Sequence, residues 1–165
     1  FNSLPLVELD DVNRNLIEPG NSGYIQLKKN LSNEYFETDG QINKKKLKIN
    51  LFNDNVFREK IENILHPLIF SELQKIIEKK DSYVVISPLI KLLSNKINFD
   101  LKIKVICNIN DQIKRVELRD GLEKNTIKKI IAYQESNYEL IEPDFIFDSA
   151  GDLEKQLIKL KIFYD

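Results

Sequence analysis

The residues of this sequence that could do chemistry are carboxylates and cations at helical spacing. Carboxylates accept protons from hydroxyl groups, and guanidinium and ammonium groups meet phosphates. Asp10 closes the apolar run LPLVEL, and Arg14 follows one helical turn later, so the two share a face. Arg115 and Arg119 repeat that spacing within DQIKRVELRD. Lys44, Lys45 and Lys46 form a short basic run that could meet an anionic substrate. Each set has a plainer alternative. Asp10 could cap a helix, Arg14 could form an i, i+4 ion pair, and the other cations could be solvated faces. His66, the single histidine, precedes Pro67, and a lone histidine is often structural. Cys107, the single cysteine, cannot form an internal disulfide and has no Cys or His nearby to share a metal. It reads as a buried thiol within the strand-like IKVICNI.

The elements that must position these residues belong to one domain of ordinary size, or a core with an insertion, in 165 residues. The 25 basic and 26 acidic side chains nearly cancel, which argues against a general nucleic-acid surface. No apolar run reaches the roughly 20 residues that cross a bilayer. The start, FNSLPLVELDD, lacks the basic flank and cleavage site of a signal peptide. These features point to a soluble, cytoplasmic protein. The sequence contains no methionine, even at position 1, so the expectation is that a segment upstream is missing.

Strands are expected at 4–9, 83–87, 101–107 and 145–148, the second apolar enough for a buried parallel strand. Asp10 could open the helix VNRNLI, which Glu18-Pro19-Gly20 ends. Residues 24–35 suit a helix loosely, Thr38-Asp39-Gly40 is a turn, and 44–52 form a short helix. Asn53-Asp54 opens VFREKIENILH. Pro67 is expected to interrupt it, with LIFSELQKIIEKK continuing as a separate amphipathic helix. Further helices are DQIKRVELRD, NTIKKIIAYQ opened by Asn125, and LEKQLIKLKIFY with Asp152 as its N-cap. Strands alternating with helices indicate an α/β protein with a parallel sheet and a helical insertion.

The order of short motifs resembles the dephospho-coenzyme A kinase family over nearly the whole chain. Leu6-Val7-Glu8-Leu9-Asp10, Arg14 and Glu18-Pro19-Gly20 are similar to its V-I-D-A-D…A-R…E-P-G stretch. Thr38-Asp39-Gly40 with Ile42 to Phe52 resembles D-G-x-I-x-R-x-x-L…F. Asn53-Asp54 and the distinctive Ile64-Leu65-His66-Pro67-Leu68-Ile69 match N-D/P…L-H-P-L-I. Pro88-Leu89-Ile90 resembles P-L-L after a strand. Gln112, Arg115, Arg119-Asp120-Gly121 and Gln134 look like the lid helices, and Asp144 to Asp148 with Gly151 like the A-D-Y-V-I-D-N-x-G close.

The resemblance implies a P-loop NTPase-type three-layer α/β fold with a parallel sheet, a helical substrate insertion and a short helical lid. It implies a nucleotide-binding core from residues 1–10, 76–114 and 136–165, a coenzyme A substrate domain at 11–75 and a lid at 115–135. The implied reaction moves the γ-phosphate of ATP, with Mg²⁺, to the ribose 3′-hydroxyl of dephospho-coenzyme A. Nucleic acid and membrane are not expected partners. In this reading Asp10 is the base and Arg119 steadies the transferring phosphoryl group. Arg14, Lys44, His66 and Pro67 serve the substrate, and Arg115, Gln134, Asp148 and Gly151 serve the nucleotide and lid.

The sequence departs from the family in several places. The phosphate-cradling G-x-x-x-x-G-K-S/T does not occur in it, and the family places that loop just upstream of Phe1. Lys44 stands for an arginine and loses its bidentate fork. Ser149 stands for an asparagine. The Tyr83–Pro88 spacing is one residue short of the family's, and the Gln134–Asp144 stretch is short as well. Two other readings fit the same residues: another P-loop kinase of the nucleoside monophosphate kind, or a non-catalytic coenzyme A-binding protein.

Overall fold

The computed structural model describes residues 4–88, 93, 96–138 and 142–164. The chain falls into two compact units, Phe1–Pro88 and Leu89–Asp165.

In the first unit, β1 (Leu6–Glu8) pairs in parallel with β2 (Val84–Ile86), and Leu6, Val7 and Glu8 face Val84, Val85 and Ile86. Both strands are shorter than their apolar runs. β1 stops at Glu8 because Leu9 already begins α1 (Leu9–Leu16). β2 is not buried throughout, as its composition suggested, since Ile86 is 52% exposed. The run between Asn21 and Tyr35 divides into α2 (Ser22–Asn30) and a 3₁₀ turn (Asn33–Tyr35), rather than forming one helix. α3 (Lys44–Asn53) and α4 (Asn55–Ile77) follow. Each has a side-chain cap: Asn43 accepts from the Lys46 amide at 2.8 Å, and Asp54 from the Phe57 amide at 3.0 Å.

Pro67 does not split α4, contrary to the sequence expectation. Ile61, Leu65, Ile69 and Leu73 recur every four residues and are all buried, so one stripe runs past the proline on both sides. Burying four aliphatic side chains stabilises by about 1.5–3 kcal/mol each, against roughly 3 kcal/mol for a proline in a helix interior. Pro67 itself is exposed, as is Asn63, whose carbonyl loses its helical partner. α4 packs against α1, α2 and α3 and so organises the unit.

Gly23 lies where α2 meets the end of α1. A Cβ there would stand 2.8 Å from the Leu16 carbonyl oxygen, a backbone atom that cannot swing aside. Alanine normally stabilises a helix by about 1 kcal/mol relative to glycine. Here the sign reverses, and Gly23→Ala is expected to cost about 1–3 kcal/mol. A urea midpoint that rises, or stays unchanged, would contradict this packing.

In the second unit, β3 (Ile103–Ile106) and β4 (Phe145–Asp148) are parallel, with Ile103 opposite Phe145 and Ile106 opposite Asp148. Asp144 locks the entrance of the pair by accepting the Lys102 amide at 2.7 Å. α5 (Ile109–Asp120), α6 (Lys124–Tyr138) and α7 (Leu153–Tyr164) complete it. α6 begins at Lys124, so Asn125 lies inside it rather than opening it. Asp152 does cap α7, accepting from the Lys155 amide at 3.1 Å. Leu122, Ile127, Ile130, Ile131 and Leu160 are buried, whereas α5 contributes no buried residue. Cys107 is half-buried and follows β3 rather than sitting within it. Leu89 and Ile90 of the Pro88-Leu89-Ile90 motif lie outside the described residues.

Candidate active site

Asp10 stands in the first turn of α1, two residues past the end of β1. The N-cap position belongs to Glu8, whose side chain makes no capping bond, so Asp10 is not the cap that its sequence position allowed. Its side chain is exposed, and no hydrogen bond or ion pair holds it among the described residues. Carboxylates in a first helical turn are favoured by the helix dipole. Arg14 lies one turn away, but its partner is Asp11, at 2.8 Å, rather than Asp10. Sequence reading gave Asp11 no part. The i, i+3 spacing of Asp11 and Arg14 was the available signal.

The lysine run is divided between two acidic partners. Lys44 reaches Glu18 of the Glu18-Pro19-Gly20 turn at 3.2 Å, joining the start of α3 to the exit of α1. Lys46 binds Glu34 at 2.7 Å and lies 5.5 Å from the centre of the Tyr35 ring. Hydrogen bonds from Lys46 and Ser32, with the lysine charge, hold the Glu34 carboxyl below its usual range. Both pairs are exposed surface ion pairs, so Lys44 and Lys46 stay solvated while each has an acidic neighbour. His66 and Pro67 lie mid-way along α4, not at a helix junction, with His66 half-buried and Pro67 exposed.

A cavity of about 240 Å³ opens between α1, the start of α2 and α4, lined in part by Val12, Asn15, Leu16, Ser22 and Glu72. Val12, Asn15 and Leu16 lie on the face of α1 away from Asp10 and Arg14. None of the residues singled out from sequence lines it.

In the second unit, Arg115 and Arg119 share the exposed side of α5. The helix ends at Gly121, whose φ of +62° is the left-handed conformation that glycine adopts without strain. Arg119 makes a two-pronged ion pair with Asp120, Nε to Oδ1 at 2.8 Å and Nη2 to Oδ2 at 3.1 Å. Gln112 anchors the start of α5 by donating to the Cys107 carbonyl at 2.7 Å. Gln134 is half-buried on α6.

Asp148 and Gly151 meet in one turn at the end of β4. The Asp148 carbonyl accepts the Gly151 amide at 3.0 Å, and its carboxylate accepts the Ala150 amide at 2.9 Å. Gln156 of α7 clamps the same turn, accepting the Asp148 amide at 2.7 Å and donating to its carbonyl at 3.0 Å. Sequence reading missed Gln156. Its only signal was a polar side chain one turn after the Asp152 cap.

Each unit is thus built on a pair of parallel strands with helices, an α/β arrangement, with Asp10 just past the end of β1 and the Asp148–Gly151 turn at the end of β4. Comparison with solved structures agrees. A Thermus thermophilus protein, TT1252, superposes with a TM-score of 0.69 at 17% identity, over 97% of this chain and 84% of that one. A dephospho-CoA kinase from Campylobacter jejuni gives 0.53 at 17% identity, over 98% and 85%. At that identity the likeness concerns the fold, which is α/β of the P-loop NTPase-like kind. The family described as "CoaE: Dephospho-CoA kinase" matches residues 2–154, and the chain belongs to that family of ATP-dependent kinases. The dephospho-CoA kinase of Methylococcus capsulatus is 30% identical over 148 residues, 88% of this chain and 75% of that protein. That of Gamma-proteobacterium EBAC31A08 is 28% identical, covering 98% and 85%.

Proposed function

We propose that this chain carries out the phosphoryl transfer of its family with Asp10 as general base and Arg119 as the group that offsets charge on the moving phosphoryl. The observation that supports this best is the exposed Asp10 just beyond the carboxyl end of a parallel strand. Ligands of open α/β sheets sit at that end. The ribose 3′-hydroxyl of dephospho-CoA attacks the γ-phosphorus of ATP, its proton passes to the Asp10 carboxylate, and the bond to the bridging oxygen breaks to release ADP. ATP enters as its Mg²⁺ complex, the ion held mainly by phosphates and water, as is usual for Mg²⁺. Among the described residues, no group of three or more His, Cys, Asp or Glu forms a cage of its own.

Arg14, Lys44, His66 and Pro67, all in residues 11–75, form the substrate side of this reading. Lys44 comes to it already oriented by Glu18. Arg115 and Gln134 form the lid side, and the Asp148–Gly151 turn the nucleotide side. The division is into a core of 1–10, 76–114 and 136–165, a substrate domain of 11–75 and a lid of 115–135. The near-neutral charge supports a small-molecule substrate rather than nucleic acid. No described helix is long and apolar enough to cross a membrane, and we place the reaction in the cytoplasm.

The test is ADP formation by the full-length protein with MgATP and a panel of acceptors. Turnover is expected with dephospho-CoA and not with nucleoside monophosphates. Turnover with a nucleoside monophosphate instead would replace the acceptor. Binding of dephospho-CoA without turnover would point to a non-catalytic protein.

A further inference from the structure

The turn that closes β4 is completed by a side chain from outside it. Every amide from Asp148 to Gly151 already has an acceptor. Asp148 donates to Gln156 Oε1 at 2.7 Å, Ser149 to the Ile106 carbonyl at 2.9 Å, Ala150 to the Asp148 carboxylate at 2.9 Å and Gly151 to the Asp148 carbonyl at 3.0 Å. Ser149 turns its amide to β3, and successive residues of a parallel strand turn their peptide groups to opposite edges. Asp148 is therefore directed to the edge that β3 does not cover. Gln156 takes that edge as a peptide unit would, accepting the Asp148 amide and donating from Nε2 to the Asp148 carbonyl at 3.0 Å. Nε2 also donates to the Asp152 carbonyl at 3.3 Å. Reversing the side-chain amide would set N–H against N–H and oxygen against oxygen, so the clamp fixes one orientation. Gly151 leaves room for it, since a Cβ there would stand 2.8 Å from Nε2.

We infer that Gln156 is a positioning residue for the nucleotide, holding the Asp148–Gly151 turn in the shape that ATP meets. This rests on the nucleotide role given to that turn above. The residues from Asp148 to Gly151 are all exposed, so burial does not hold their backbone. Hydrogen bonds do, and Gln156 ties them to α7. Without the clamp the outward groups of Asp148 exchange with water, and the turn samples more conformations. ATP must then order the turn as it binds, a cost that a preformed turn avoids. That cost is carried equally by the bound complex and the transition state, so it is read in the KM for ATP rather than in kcat. A side chain serving only stability would shift the melting temperature and leave both KM values alone.

The experiment reads kcat and both KM values in the full-length protein with MgATP and dephospho-CoA. Gln156→Met keeps the length and helix propensity of the side chain but removes the clamp. It is expected to raise the KM for ATP about tenfold, the effect of losing one or two hydrogen bonds, with kcat and the KM for dephospho-CoA within about twofold. Gln156→Asn, polar but one methylene too short to reach, is expected to behave alike. Lys155→Ala breaks only the neighbouring ion pair with Asp152 and is expected to match the wild type. Ser149→Trp puts a bulky group on the exposed turn and tests the turn itself, with a higher KM for ATP expected. If Ser149→Trp raises that KM and the Gln156 variants do not, the role of Gln156 is overturned while the turn keeps its own. Equal rises in both KM values for Gln156→Met, or a lower melting temperature with unchanged KM values, also overturn it. If no variant moves the KM for ATP while dephospho-CoA is turned over, the turn does not serve the nucleotide and Gln156 falls with it. If the wild type does not phosphorylate dephospho-CoA, the functional reading fails first and takes the inference with it.

Discussion

Asp10→Asn is expected to lower kcat for dephospho-CoA phosphorylation on the order of 10³-fold, in the middle of the range for a positioned general base. Asparagine matches aspartate in size but cannot take a proton from the attacking hydroxyl. The KM for dephospho-CoA should change little, because the contact that matters is made as the proton leaves. Stability gives an internal control. Asp10 sits in the first turn of α1 without capping it, so losing its charge removes only the dipole interaction, about 0.3–1 kcal/mol. A protein that melts nearly as before and has lost almost all turnover fits this role. Asp11→Asn, which strips Arg14 of its ion-pair partner, should be much milder. A kcat within a few fold of wild type for Asp10→Asn would sink the assignment.

The second large effect lies in the packing. Leu73→Ala should destabilise the fold by about 2–5 kcal/mol, the cost of removing a buried leucine from a site that cannot collapse. Leu73 has no exposed surface, and α4 carries it into contact with a unit otherwise built from α1, α2 and α3. A rigid helix flanked by three others cannot close the void by moving toward one of them without leaving the rest. Against a total stability of about 5–15 kcal/mol this is a large fraction. Val56→Ala, at a position 77% exposed on the same helix, should be nearly neutral. Urea unfolding of the two variants decides the matter, and similar midpoints would mean that α4 is not the organising element.

The strand and helix order was readable because the apolar period changes from helical to strand-like near Tyr83. The caps Asp54 and Asp152 were readable for a local reason, since each bonds an amide three residues ahead. Pro67 was misjudged because proline is a local signal, whereas the stripe from Ile61 to Leu73 is a property of the whole helix. Asp10 looked like a cap because a chain that bends at Glu8 rather than at Asp10 leaves no mark on composition. In the candidate site, the positions came from motif order. Their partners did not: Lys44 finds Glu18 across 26 residues, a pairing that only the fold creates. Arg119 and Asp120 are adjacent in sequence, yet adjacency alone does not give a two-pronged pair. The pair stands in the last turn of α5, which Gly121 ends.

α5 anchors none of the core, as no residue along its length is buried. A helix with that property can tilt without opening a void, since no side chain is withdrawn from a packed interior. Its stability against tilting comes from α6 and from the tether of Gln112 to the Cys107 carbonyl. Large displacements of the Arg115–Arg119 face are therefore compatible with an interior that does not rearrange. The Arg115–Arg119 face is thus carried by a helix held through contacts along its flank rather than by a buried anchor.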